Sequence, residues 1–60
     1  MNAPVLSRQQ LLLVDDEEEA LLELAEWLEG EGFICFTATS VKLALQHLTL
    51  HPDIALVITD

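Results

Sequence analysis

Leu11-Leu12-Leu13-Val14-Asp15-Asp16 is an apolar run that ends abruptly on two carboxylates, and Leu56-Val57-Ile58-Thr59-Asp60 repeats the pattern at the other end of the chain. A continuous apolar run of this length suits a strand covered on both faces. A charge directly after it must lie where the strand emerges, because an unpaired buried carboxylate is expensive. Two such strand ends suggest that Asp15, Asp16 and Asp60 converge on one cation or phosphate.

Between these ends, the pattern alternates. After Asp16, a capping box with Asp16 as N-cap and Glu19 three residues on predicts a helix, and Glu17-Glu18-Glu19 complement its N-terminal dipole. Leu21, Leu24, Ala25 and Leu28 recur at i, i+3, i+4 and i+7, flanked by Ala20 and Trp27, while Glu23, Glu26 and Glu29 face away. Gly30-Glu31-Gly32 should stop that helix. Residues 33–38 are aromatic and β-branched enough for a second strand. Ser40 is placed to cap a second helix with the stripe Val41, Ala44, Leu45 and Leu48, closed by Pro52. Residues 54–59 form a third strand. The expected order is β-α-β-α-β. A helix over 17–29 and a six-residue strand both span about 20 Å, so the layers match.

Handedness then sets the topology. Both crossovers should be right-handed. With the first strand central, the second and third flank it, giving strand order 2-1-3 and one helix on each face. The carboxyl ends of strands one and three adjoin at a topological switch point, where open α/β sheets bind ligands. Asp15, Asp16 and Asp60 all fall there. Neighbouring strands are about 4.8 Å apart, so carboxylates at their ends can share a small cation such as Mg²⁺, which combines one or two carboxylates with waters and phosphate oxygens.

Composition narrows the function. Eleven acids against two basic residues leave a net charge of −9, which excludes electrostatic binding of nucleic acid and disfavours anionic membranes. No run approaches the roughly 20 apolar residues of a membrane span, and the leader over 1–9 lacks the basic and apolar regions of a signal peptide. Cys35 is the one cysteine, which fits a reducing compartment, and a cytoplasmic location is expected. Sixty residues, 52% of them hydrophobic, resemble core material from a larger unit, since so short a domain buries only about 60% of its unfolded surface.

Taken together, Leu11-Leu12-Leu13-Val14-Asp15-Asp16-Glu17, Gly32-Phe33, Thr37-Ala38, Ala44-Leu45 and Val57-Ile58-Thr59-Asp60 resemble the first half of a response-regulator receiver domain. The resemblance covers residues 10–60 and implies a partial flavodoxin-like doubly wound parallel sheet, a truncated receiver ending at its phosphoacceptor. It implies that Asp60 accepts a phosphoryl group from a sensor histidine kinase or phosphotransfer protein, that Asp15 and Asp16 with Asp60 hold Mg²⁺, and that the module is not itself an enzyme. It also implies an output domain elsewhere, and a hydroxyl residue and a lysine on later strands. Lys42 does not match that lysine, Val41 replaces a usual glycine, and the stretch from Pro52 to Asp60 is about two residues longer than the common pattern. The fragment alone is therefore expected to be inactive.

Two rivals share these residues. A Mg²⁺-dependent aspartate-nucleophile phosphatase resembles Asp-x-Asp after its first strand, whereas Asp15 and Asp16 are adjacent. A pseudo-receiver would keep the fold as an interaction module without phosphorylation. Among lesser signals, His47 and His51 have zinc-helix spacing but lack a glutamate after the first, and exposed helix-end residues are the better expectation. Gly30-Glu31-Gly32 precedes a strand instead of opening a helix and is not a dinucleotide fingerprint.

Overall fold

A computed structural model describes residues 8–59; Asp60 and most of the expected leader lie outside the described residues. Five elements follow in the expected order: β1 (Gln10–Val14), α1 (Glu18–Gly30), β2 (Ile34–Ala38), α2 (Val41–Leu50) and β3 (Ile54–Thr59). The three strands form one parallel sheet in the order β2-β1-β3. This is the expected partial flavodoxin-like architecture.

β1 is central because its side chains can be buried on both faces. Leu11 and Leu13 point to one side, where Leu21 and Ala25 of α1 cover them, with Leu28, Phe33, Cys35 and Ile58 packed around. Leu12 points to the other, against Ala38 and Ala44, with Val14, Phe36 and Ile54 alongside. Leu12 and Leu13 are fully buried. Burial of each such leucine contributes about 1.5–3 kcal/mol. The helices therefore lie on opposite faces, as the period-2 alternation of a strand requires.

Several sequence expectations are corrected at the level of local structure. Glu17, not Asp16, is the N-cap of α1, and it makes no side-chain capping bond. The expected capping box cannot form, because the third helical position then falls on Ala20. Instead, the Glu17 N–H donates to Asp15 Oδ1 at 3.0 Å, a local turn that competes with capping by Asp16. Ser40 does cap α2, accepting from the Leu43 N–H at 3.2 Å. At the far end of α1, the Gly32 N–H donates to Glu29 O and the Phe33 N–H to Leu28 O, with Gly32 at φ 102°. This is a Schellman stop, closed by the apolar neighbours Leu28 and Phe33.

Helix faces are covered more narrowly than the stripes suggest. Leu24 is 37% exposed and Trp27 66%, and on α2 Val41, Leu45 and Leu48 are exposed, leaving Ala44 the buried residue. Each face of the sheet carries one helix among the described residues, so only the line pointing straight at the sheet is covered. The histidines also differ from expectation. His47 and His51 are half-buried, not exposed: His51 stacks on Phe36 with centroids 4.0 Å apart, and His47 lies 5.5 Å from the same ring. Nδ1 of His47 is buried without a hydrogen-bond partner.

β3 is paired along one edge only among the described residues, and Leu56 and Val57 are exposed. Its pairing to β1 contains a bulge. Gln10 faces Ile54 while Leu11 faces Leu56, so one step on β1 matches two on β3. The bulge takes up one residue of the long stretch after Pro52.

Two predictions follow from this packing. An uncharged apolar edge strand is a template for further pairing, so the isolated 60-residue polypeptide should self-associate, with sedimentation and melting that depend on concentration; a monomer melting in one concentration-independent transition would contradict this. At fixed chain concentration, Gly32→Ala should lower stability by about 1 kcal/mol because it places a Cβ at positive φ. Gly30→Ala, where an added Cβ meets nothing within 4 Å, should raise it by about 0.5 kcal/mol. Urea midpoints of the two variants check both signs.

Candidate functional site

The carboxyl ends of the strands open onto a cleft of about 450 Å³ lined by Val14, Asp15, Asp16, Thr39, Ser40, Val41 and Thr59. The loops after β1 and β2 and the end of β3 meet there because parallel strands all end on the same side. The register sets the details. Val14 pairs with Ala38 on one side and Thr59 on the other. The ladder to β2 extends one step further, since the Asp15 N–H donates to Ala38 O at 3.1 Å. Asp15 thus has its backbone held by β2 and its carboxylate held by the Glu17 N–H. It is half-buried, whereas Asp16 is exposed.

Of the three acids expected to converge, Asp15 and Asp16 line this one cleft. Asp60 lies outside the described residues; Thr59, which precedes it, lines the cleft as well. Among the described residues there is no group of three or more potential metal-ligating side chains. The two aspartates do suit a hard cation. They offer carboxylate oxygens with room for water or phosphate oxygens beside them, the donor set that Mg²⁺ prefers. No basic side chain is among the lining residues, so an anion entering this cleft needs a cation to offset the carboxylates.

Thr39, Ser40 and Thr59 were not singled out as site residues from sequence. Their one signal was position, directly after β2 or at the end of β3, and that becomes informative only once the strand order is known. A second cleft, about 260 Å³, lies on the α1 side of the same sheet end, lined by Leu13, Asp15, Leu21, Leu24, Ile58 and Thr59 among others. A groove of about 370 Å³ on the outer surface of α2 is lined by Leu45, Gln46, Thr49 and Leu50 and holds no ionisable group. Of these three clefts, the two with an acid among their lining residues lie at the strand ends.

Cys35 is a half-buried thiol. It packs against the α1 cluster, and burial, reinforced by the Glu29 carboxylate, pushes its thiol above the ordinary value. A thiol whose folded-state value is raised contributes stability that is fully present below the unfolded value and is lost as pH rises through the folded one. Alkylation of Cys35 by iodoacetamide should therefore be slower in the folded chain than in urea at mildly alkaline pH, and Glu29→Gln should speed it modestly. Equal rates folded and unfolded would show that the thiol is not shielded.

Fold and site together define an open, doubly wound parallel α/β unit with a carboxylate-lined cleft at its switch point. Comparison with known proteins adds one similarity. The chain is 37% identical over 60 residues to the two-component response regulator PprB of Pseudomonas aeruginosa, matching 100% of this chain and 22% of PprB. The chain thus spans well under half the length of that relative. No family model matches the chain, and no solved structure matches it. No helix among the described residues is long and apolar enough to cross a membrane.

Proposed function

We propose that this chain is a receiver-type signalling module that takes a phosphoryl group onto Asp60 from a phosphohistidine of a sensor histidine kinase or phosphotransfer protein, with Mg²⁺ held by Asp15 and Asp16. The observation that carries the reading is the register of the two outer residues of the cleft. Val14 pairs with Thr59, and the next residues in sequence are Asp15 and Asp60. The similarity to a protein named as a two-component response regulator supports the same reading.

The chemistry asked of the chain is modest. A carboxylate oxygen of Asp60 attacks phosphorus, the P–O bond forms as the P–N bond to the donor imidazole breaks, and the imidazole leaves with the bonding pair. Phosphoryl transfer of this kind depends on positioning and on offsetting charge in the transition state. When bound, Mg²⁺ supplies that offset. Asp15 and Asp16 hold it, while Thr39, Ser40 and Thr59 present small polar walls that leave room for phosphoryl oxygens. The product is an aspartyl phosphate, a known type of covalent phosphoenzyme linkage. The module acts as acceptor, not as an enzyme with turnover, and any output domain belongs to sequence outside this chain.

The test is incubation of the protein carrying this chain with Mg²⁺ and either acetyl phosphate or a phosphorylated histidine kinase. The expected outcome is a mass increase of one phosphoryl group, removed by hydroxylamine and absent in Asp60→Asn. Asp16→Asn should slow the reaction about 10²-fold or more, in line with loss of a charge-stabilising group. Sustained release of phosphate would instead favour an aspartate-nucleophile phosphatase. No modification under either donor would favour an unphosphorylated interaction module.

A further inference from the structure

We propose that His47 and His51 form a two-imidazole chelate for one divalent transition ion of the zinc type. The site is separate from the acidic cleft and does not rest on the reading above.

α2 begins beside the acidic cleft, at Ser40, and ends just before β3. Its last turn therefore lies at the amino-terminal end of the strands, the far end of the sheet from Asp15 and Asp16. His47 and His51 stand one turn apart there, and the His51 N–H donates to His47 O at 2.8 Å, closing that turn. This i, i+4 spacing puts both side chains on one face. Their ring centroids are 5.7 Å apart, with the planes inclined by 25°. Two imidazoles bound to one zinc through nitrogens at about 2.1 Å have ring centres up to about 6.5 Å apart. The observed separation is within that reach. Phe36 of β2 restrains the pair, since His51 stacks on it at 4.0 Å and His47 lies 5.5 Å away. Groups already held in place lose less freedom on binding.

A second observation points to a ligand. Nδ1 of His47 is buried and, among the described residues, has no hydrogen-bond partner. In one neutral tautomer it is a donor without an acceptor, and in the other a lone pair without a donor. Either is costly when buried, and a metal ion is a partner for the lone pair. The unsatisfied carbonyls of the helix end carry the negative end of its dipole, which also favours a cation. Imidazole suits Zn²⁺, Cu²⁺ and Ni²⁺, whereas Mg²⁺ prefers oxygen. Cys35 is not a member of the set, because it faces α1 on the other side of the sheet. Among the described residues no third ligating side chain joins the histidines, so water completes the coordination.

The test is Zn²⁺ titration of the protein carrying this chain, labelled with ¹⁵N in histidine, with excess Mg²⁺ to compete for oxygen ligands. Zn²⁺ should shift one ring nitrogen of His47 and one of His51 along a single binding curve. His51→Phe keeps a ring on Phe36 but removes a ligand. It should weaken Zn²⁺ binding, read from the His47 signals, at least about tenfold, because the second ligand no longer acts intramolecularly. His47→Gln, read from His51, should do the same. Asp16→Asn, at the other end of the sheet, should stay within about twofold of wild type. Unshifted imidazoles at saturating Zn²⁺, or wild-type affinity in His51→Phe, overturn the site. A loss in Asp16→Asn equal to that in His51→Phe puts the ion in the acidic cleft and overturns it as well. Should circular dichroism show that His47→Gln loses helix, His51→Phe decides, since it retains the aromatic stack. Failure on any of these counts leaves phosphorylation of Asp60 standing, because that reaction uses neither histidine.

Discussion

The described residues are arranged around one strand that is almost wholly withdrawn from water along its middle. Leu11, Leu12 and Leu13 are at most 3% exposed, and β1 is hydrogen-bonded on both edges. Such a strand needs a neighbour on each side and a helix over each face, because its backbone groups and side chains have no other partners. Among the described residues, two further strands and two helices in the order β2-β1-β3 meet all four demands. Charged residues can then appear only where β1 leaves the sheet, and that is where Asp15 and Asp16 stand.

The site is thus a by-product of burial and chain direction. Parallel pairing brings every strand to its carboxyl end on one side of the sheet, and the reversal of winding direction after β2 opens a gap between the loops that follow β1 and those beside it. The small residues Thr39, Ser40 and Thr59 keep that gap open. Five consecutive acids, Asp15 to Glu19, make the region strongly negative. In such a field a cation is the natural first ligand and an anion a second one that depends on it.

Much of this was legible in the chain. The apolar runs of β1 and β3 separated by two amphipathic stretches specified alternating elements, and handedness then specified their order. Leu21, Ala25 and Ala44 were correctly assigned to packed faces. Leu24, Val41 and Leu45 were not, because a stripe at helical spacing tells which side is apolar but not how wide a surface lies opposite it. The choice between Asp16 and Asp15 as partner for the helix start turned on a two-residue local geometry that either aspartate could satisfy by spacing alone. His47 and His51 were misjudged for a different reason: the ring that shelters them, Phe36, sits on another element and is brought near only by the crossover. Thr39, Ser40 and Thr59 gained meaning only from topology.

The bulge between Gln10 and Leu11 separates two kinds of constraint along β3. Its extra residue is absorbed at the amino-terminal edge of the sheet, and from Leu11 and Leu56 onward the pairing runs without a break to Val14 and Thr59. Changes in the length of the α2–β3 connection can be taken up at that edge, at the opposite end of the sheet from the acids. A change in length absorbed there leaves the register between Val14 and Thr59, at the acidic end, unaltered.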